Sequence, residues 1–177
     1  MMRGRPCYNI THHKDRPPAE IMTDITNELP KLRGFIDELA DLDDAERLQT
    51  LVELADELPP IAEARAREPF PSACRVQECQ TPVHLWMDWV NDRLHLEADV
   101  PEKSPTVRGL VAIVVQSLEG ATPSQVLSLP EDWLPILHLT SAMGMQRQQG
   151  LRGVIRRIKQ ETHRHLTLPS PTLKISQ

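Results

Sequence analysis

Two thiols, Cys74 and Cys79, stand ahead of a strand-like run in the stretch ACRVQECQTPVHLWMDW, residues 73–89. Cys7 is the only other cysteine in 177 residues. Gln77-Glu78 precede Cys79 and Gln80-Thr81-Pro82 follow it, which sets it in a connection rather than inside a core strand. A buried, inert cysteine is the ordinary case. An exposed thiol in a polar loop is open to oxidation, so such a residue is expected to have a task. Three chemistries use one. Cys74 and Cys79 form C-x4-C with His84 five residues on, but structural zinc takes four ligands in close pairs, and His95, His138, His163 and His165 are scattered. A cysteine nucleophile with His84 as base is the second, although the strand would carry the imidazole away and no hydrolase signature surrounds the thiol. The third is a sulfur relay, in which a thiolate attacks another sulfur atom and keeps it; this needs a reachable thiol, help with ionisation and a partner surface. Spacing alone leaves all three open.

The elements that must position these thiols are mostly helical. Leu29, Leu32, Ile36, Leu39 and Leu42 recur at helical spacing, as do Leu48, Leu51, Val52, Ala55 and Leu58. Asp43 or Asp44 caps the second helix and Pro59-Pro60 ends it. Val83, Leu85, Met87 and Trp89 alternate, and so do Leu94, Leu96 and Ala98; Asn91-Asp92 between them suits a tight hairpin turn. Ser72–Val76 is expected to add a third short strand. Helices then return: one opened by Ser104-Pro105, with the serine hydroxyl as cap, and ended by Gly120; a short one from Thr122-Pro123 to Leu127; another over Glu131–Leu139; and a last one from Arg147 or Gln148 to His165. Helices, strands and helices again predict an α+β fold, a small three-stranded antiparallel sheet packed on helices.

The chain is 40% hydrophobic and 25% charged, with a net charge of -5, which suits one globular domain and argues against nucleic acid or an anionic membrane as partner. Three cysteines are too few for a disulfide scaffold. Together with an N-terminus lacking an apolar signal segment, they make a cytoplasmic location the default. Residues 1–24 and 167–177 read as tails around a domain at 25–166, and Met22 can serve as an alternative start.

Three stretches now carry a resemblance. VQECQTPVHLW, Val76 to Trp86, resembles the cysteine loop of the SufE-like sulfur-acceptor proteins of iron–sulfur cluster assembly. VRGLVAIVV, Val107 to Val115, with TPSQVLSL, Thr122 to Leu129, resembles that family's apolar helix and the short helix after it. QRQQGLRGVIRRI, Gln146 to Ile158, is similar to its Arg-x-Gln/Asn-Gly-Leu opening of the last helix. The matches occur in family order from about Leu29 to Ile158.

The resemblance implies that Cys79 accepts sulfur from the persulfide of a SufS-like, pyridoxal-phosphate cysteine desulfurase, stimulates that enzyme and relays the sulfur to an iron–sulfur scaffold complex. The chain would then need no metal or cofactor of its own and would not be an enzyme by itself; a homodimer stays open. Arg147, matched to the family's arginine, is the candidate to support the thiolate. Gln80 and Thr81 are candidates to shape the loop, and Gln149 and Gly150 to set the entrance of the last helix. Two departures stand beside the thiol. Glu78 replaces a glycine common in the family and should raise the thiol's pKa, and His84 replaces a tryptophan. A regulatory Cys74–Cys79 disulfide is the remaining alternative for Cys74, against a cysteine simply packed inward.

Overall fold

The computed structural model describes residues 28–167. Cys7, Met22 and the sequence tails lie outside them, except Thr167, which ends the last helix. In chain order the described elements are α1 (Pro30–Ala40), α2 (Asp44–Leu54), β1 (His84–Val90), β2 (Arg93–Asp99), α3 (Pro105–Leu118), α4 (Pro123–Ser128) and α5 (Met145–Thr167).

Local chemistry sets most of these boundaries. Pro30 occupies the first position of α1, and Leu32, Ile36 and Leu39 form its buried stripe. Asp43 caps α2 in a reciprocal box: its side chain accepts from the Ala45 and Glu46 amides, and Glu46 accepts from the Asp43 amide. Arg47 joins the two helices, donating to the carbonyls of Leu39 and Ala40 that α1 leaves unsatisfied at its end. Thr122 caps α4 in the same reciprocal way with Gln125. Ser104 departs from expectation, since α3 starts with Pro105 at its first position but without a bond from the serine side chain. Asn91 and Asp92 both take positive φ, 51° and 55°, and form the two-residue turn of the hairpin.

The fold is α+β, with two corrections to the expected elements. The sheet has two antiparallel strands among the described residues, not three. Ser72–Cys74 forms a 3-10 turn, with Cys74 N–H bonded to Pro71 C=O and Arg75 N–H to Ser72 C=O. Those amides are committed to the turn, so only the Arg75–His84 bridge and the bond from Val76 N–H to Val83 C=O remain to pair with the hairpin. At the other edge Leu94 exchanges bonds with Gly120 and Ala121, where Gly120 has φ 75°. A second correction concerns Glu131–Leu139, which is a single helix-like turn. Leu137 N–H reaches Trp133 C=O, then His138, at φ 57°, closes it with bonds from His138 to Pro135 and from Leu139 to Leu134. Proline at 130 and 135 denies the segment a longer helix.

The core sits where α3 crosses α2 and underlies the hairpin; it includes Leu51, Leu94, Leu96, Ile113, Leu118 and Trp133, all fully buried. Arg108, at the start of α3, donates to Ala55 C=O and Val100 C=O and so ties the ends of α2 and β2 to one helix. No described helix is long and apolar enough to cross a membrane.

Two glycines give opposite expectations. A Cβ on Gly109 would lie 1.9 Å from the Leu51 carbonyl oxygen, so the α2–α3 crossing depends on its absence. Gly109→Ala should lower unfolding free energy in urea by about 2–4 kcal/mol through forced separation of the helices. Gly34, on the exposed side of α1 with nothing within 4 Å, is the control: Gly34→Ala should stabilise by about 0.5–1 kcal/mol.

Candidate functional site

Val76 and Val83 close the base of a short loop whose inner residue is Cys79. The Cys79 amide bonds back to Val76 C=O at 3.3 Å, and Arg75 Nη2 donates to Cys79 C=O at 3.3 Å. These contacts turn the side chain inward, while Gln77, Glu78 and Gln80 remain exposed. Cys79 is only 6% exposed, which corrects the expectation of an exposed thiol. The sequence shows the polar loop but not the helix that covers its tip.

That helix is α5. The Cys79 thiol donates to Gly150 C=O at 3.2 Å, and a Cβ on Gly150 would lie 3.1 Å from Sγ. One turn on, a Cβ on Gly153 would meet Glu78 Cβ at 2.6 Å. The two glycines therefore let the helix backbone rest against the loop. Gln148 fixes the start of α5 by donating to Thr140 C=O and Met143 C=O at 3.2 and 2.8 Å. At its other end His165 stacks on Trp89 of β1 with 4.6 Å between ring centroids.

The thiol opens on a cavity of about 250 Å³. Val107, Leu110 and Val111 of α3 make its apolar floor, with Leu151 and Val154 of α5 beside them; Gln80, Thr81, Gln146, Arg147 and Gly150 complete it toward the surface. Of the residues singled out in the sequence, Cys79, Gln80, Thr81, Arg147 and Gly150 thus share one cavity. Gln149 is exposed and does not line it. Sequence reasoning passed over Gln148, and also Arg75, which is four residues before the thiol and shows as an isolated cation in a polar loop.

Burial pushes the Cys79 thiol up to about 11; the Glu78 carboxylate adds to the rise and Arg75 opposes it. Arg147 is exposed at the rim and forms no ion pair among the described residues. The resting thiol is therefore a protonated donor to a carbonyl.

The other two chemistries find less in this geometry. His84 does not line the thiol's cavity; its ring packs edge-on against Phe70 at 4.9 Å, with Nδ1 3.9 Å from Asp99. Burial lowers its pKa. Cys74 and Cys79 are both free thiols and line different cavities, Cys74 facing one that it shares with Arg65, Arg157 and Glu161. Among the described residues no group of three or more His, Cys, Asp or Glu side chains is arranged to hold a metal ion.

Comparison with known proteins matches residues 33–162 to the family model described as "SufE: Fe-S metabolism associated domain". An uncharacterized SufE-like protein of Mycobacterium tuberculosis is 31% identical over 133 residues, covering 72% of this chain and 88% of its own length. One from Rhizobium meliloti is 32% identical over 144 residues, covering 78% and 99%. The solution structure of a hypothetical protein from Thermus thermophilus superposes with a TM-score of 0.66 at 29% identity, covering 78% of this chain and 98% of that one.

The raised pKa sets two pH dependences. Alkylation of Cys79 by iodoacetamide should keep accelerating toward about pH 11 in the folded protein, whereas the urea-unfolded chain should level off above about pH 8.5. Between those values the folded state holds the thiol proton that the unfolded chain has released. The thiol's contribution to stability is thus complete at neutral pH and fades as pH rises through the folded value. The stability lead of wild type over Cys79→Ala should narrow across this window in urea titrations; a constant difference would contradict the raised value.

Proposed function

The chain belongs to the SufE-like family, a family of iron–sulfur metabolism, and from that membership we propose that Cys79 is its sulfur acceptor. As a thiolate, Cys79 attacks the outer sulfur of a persulfide carried by a SufS-like cysteine desulfurase. The donor's S–S bond breaks, its cysteine leaves as thiolate, and a new S–S bond holds the transferred sulfur on Cys79. One sulfur moves, and the exchange needs no external oxidant or reductant. Pyridoxal phosphate belongs to the donor. Clearing the donor's persulfide stimulates its next turnover, and the loaded Cys79 passes its sulfur to an iron–sulfur scaffold complex. The chain is a carrier that does this only with its partners.

The observation that carries the reading is the position of the thiol. Cys79 is the inner residue of a loop whose neighbours Gln80 and Thr81 reach the surface beside Arg147, over a cavity with room beyond Sγ. At rest the thiol is protonated and bonded to Gly150 C=O, so it is inactive alone. Engagement of the donor must draw the loop outward, which returns the thiol to water and brings it under Arg147. Both changes favour the thiolate.

Mixed with a cysteine desulfurase and cysteine, the protein should gain the mass of one sulfur atom on the peptide containing Cys79, and Cys79→Ser should gain none. Arg147→Ala should slow loading about three- to ten-fold, the size expected from losing one partly solvated cation beside a thiolate. No adduct at Cys79, or acylation of Cys79 by an active ester without a partner, would overturn the acceptor reading in favour of a thiol enzyme.

A further inference from the structure

Glu78 is the residue beside the thiol that the transfer chemistry above does not use. Its side chain is exposed, yet its base is fixed, because Cβ and Cγ occupy the space left by the missing side chain of Gly153, which is buried in α5. It forms no ion pair or hydrogen bond among the described residues. A carboxylate is thereby held on the exposed side of the loop, one residue before Cys79 and outside the cavity that Arg147 borders.

We infer that Glu78 is both an electrostatic latch on the acceptor thiol and the docking point for a cationic side chain, lysine or arginine, of the persulfide donor. The inference rests on the acceptor role of Cys79. In the free protein the carboxylate opposes formation of a second negative charge next to it. Among the described residues, the charged groups around the thiol are Arg75 on the segment before the loop, Glu78 within it and Arg147 on α5. The wall supplied by α3 is apolar. Arg75 acts against Glu78 but is already donating to Cys79 C=O. A donor cation placed on Glu78 would cancel the repulsion at the moment of docking, so ionisation of Cys79 would be coupled to arrival of the correct partner. A partner presenting a carboxylate there would meet repulsion, which makes the residue a device for specificity as well as restraint.

The test uses Glu78→Gln, which keeps the methylenes seated on Gly153, with Glu78→Asp and Glu78→Lys. In the free protein, iodoacetamide should alkylate Cys79 of Glu78→Gln about three- to ten-fold faster than wild type near pH 8. The ratio should fall to one toward pH 11, where the wild-type thiol ionises as well. A ratio that persists at high pH would indicate a loosened loop and overturn the latch, as would no acceleration. With a cysteine desulfurase and cysteine, wild-type loading should slow as NaCl rises from about 50 to 300 mM, since salt screens an exposed pair. Glu78→Gln should lose most of that dependence, Glu78→Asp should retain it, and Glu78→Lys should load at least ten-fold more slowly. Equal salt dependence in wild type and Glu78→Gln would overturn the docking role while leaving Cys79 as acceptor. Absence of any sulfur on wild-type Cys79 would remove the acceptor reading itself, and the docking role with it.

Discussion

The approach of α5 to the cysteine loop is the constraint on which the site depends. At Gly150 and Gly153 the helix presents backbone where any other residue would present a side chain, and the loop fills the space with Cys79 and Glu78. Three properties of the thiol follow from that contact. It has a carbonyl acceptor, it is removed from water, and it faces the cavity between α3 and α5. The contact is maintained from a distance: Gln148 pins the first turn of α5, and the stacking of His165 on Trp89 aligns the last turns with the hairpin. Since β1 begins where the loop ends, the helix and the strand that together enclose Cys79 are held in register by groups well away from it.

The same contact is easily reversed. The loop tip is held by the Cys79 amide to Val76, Arg75 to the Cys79 carbonyl and the thiol to Gly150, at 3.3, 3.3 and 3.2 Å. The two N–H bonds are long and a thiol is a weak donor, so each of the three contributes no more than about 1 kcal/mol net. The base of the loop is firmer, with Val76 N–H to Val83 C=O at 2.9 Å and both valines buried. A loop secured at its base and lightly held at its tip can release one residue without unfolding the hairpin. On the proposed reading this division lets a partner expose the thiol by replacing a few weak bonds with its own.

Local signals in the sequence were sufficient wherever one or two residues dictate backbone geometry. Asn91-Asp92 gave the hairpin, Asp43 and Thr122 the caps, and the leucine spacing the two helices ahead of the loop. Failures occurred where local turn bonds or a proline overrode the composition of a segment, and where a distant partner decides. Ser72–Val76 has the composition of a strand, but its amides are taken by a 3-10 turn and only one bridge to His84 forms. Glu131–Leu139 has apolar spacing that fits a helix, but Pro135 and the left-handed His138 confine it to one turn, and Trp133 is buried from there. The inward turn of Cys79 depends on glycines 71 and 74 positions later, whose role is visible only once α5 is seated on the loop. The spacing Gly150-x-x-Gly153 is the signal that could have suggested a close approach.

Burial of the thiol also bears on the choice between a carrier and an independent thiol enzyme. A nucleophilic cysteine that works alone is kept ionised by an imidazole or another cation already in place. Here the environment pushes the thiol the other way, to about 11, and His84 packs against Phe70 outside the thiol's cavity. For a solitary catalyst that arrangement is a cost with no return. For a relay it is useful, because a thiolate left open to solvent would react with any electrophile or oxidant it met before reaching its donor. On the proposed reading, a thiol that ionises only when its loop is drawn out restricts the chemistry to the complex, and its selectivity comes from whichever surface can draw the loop out.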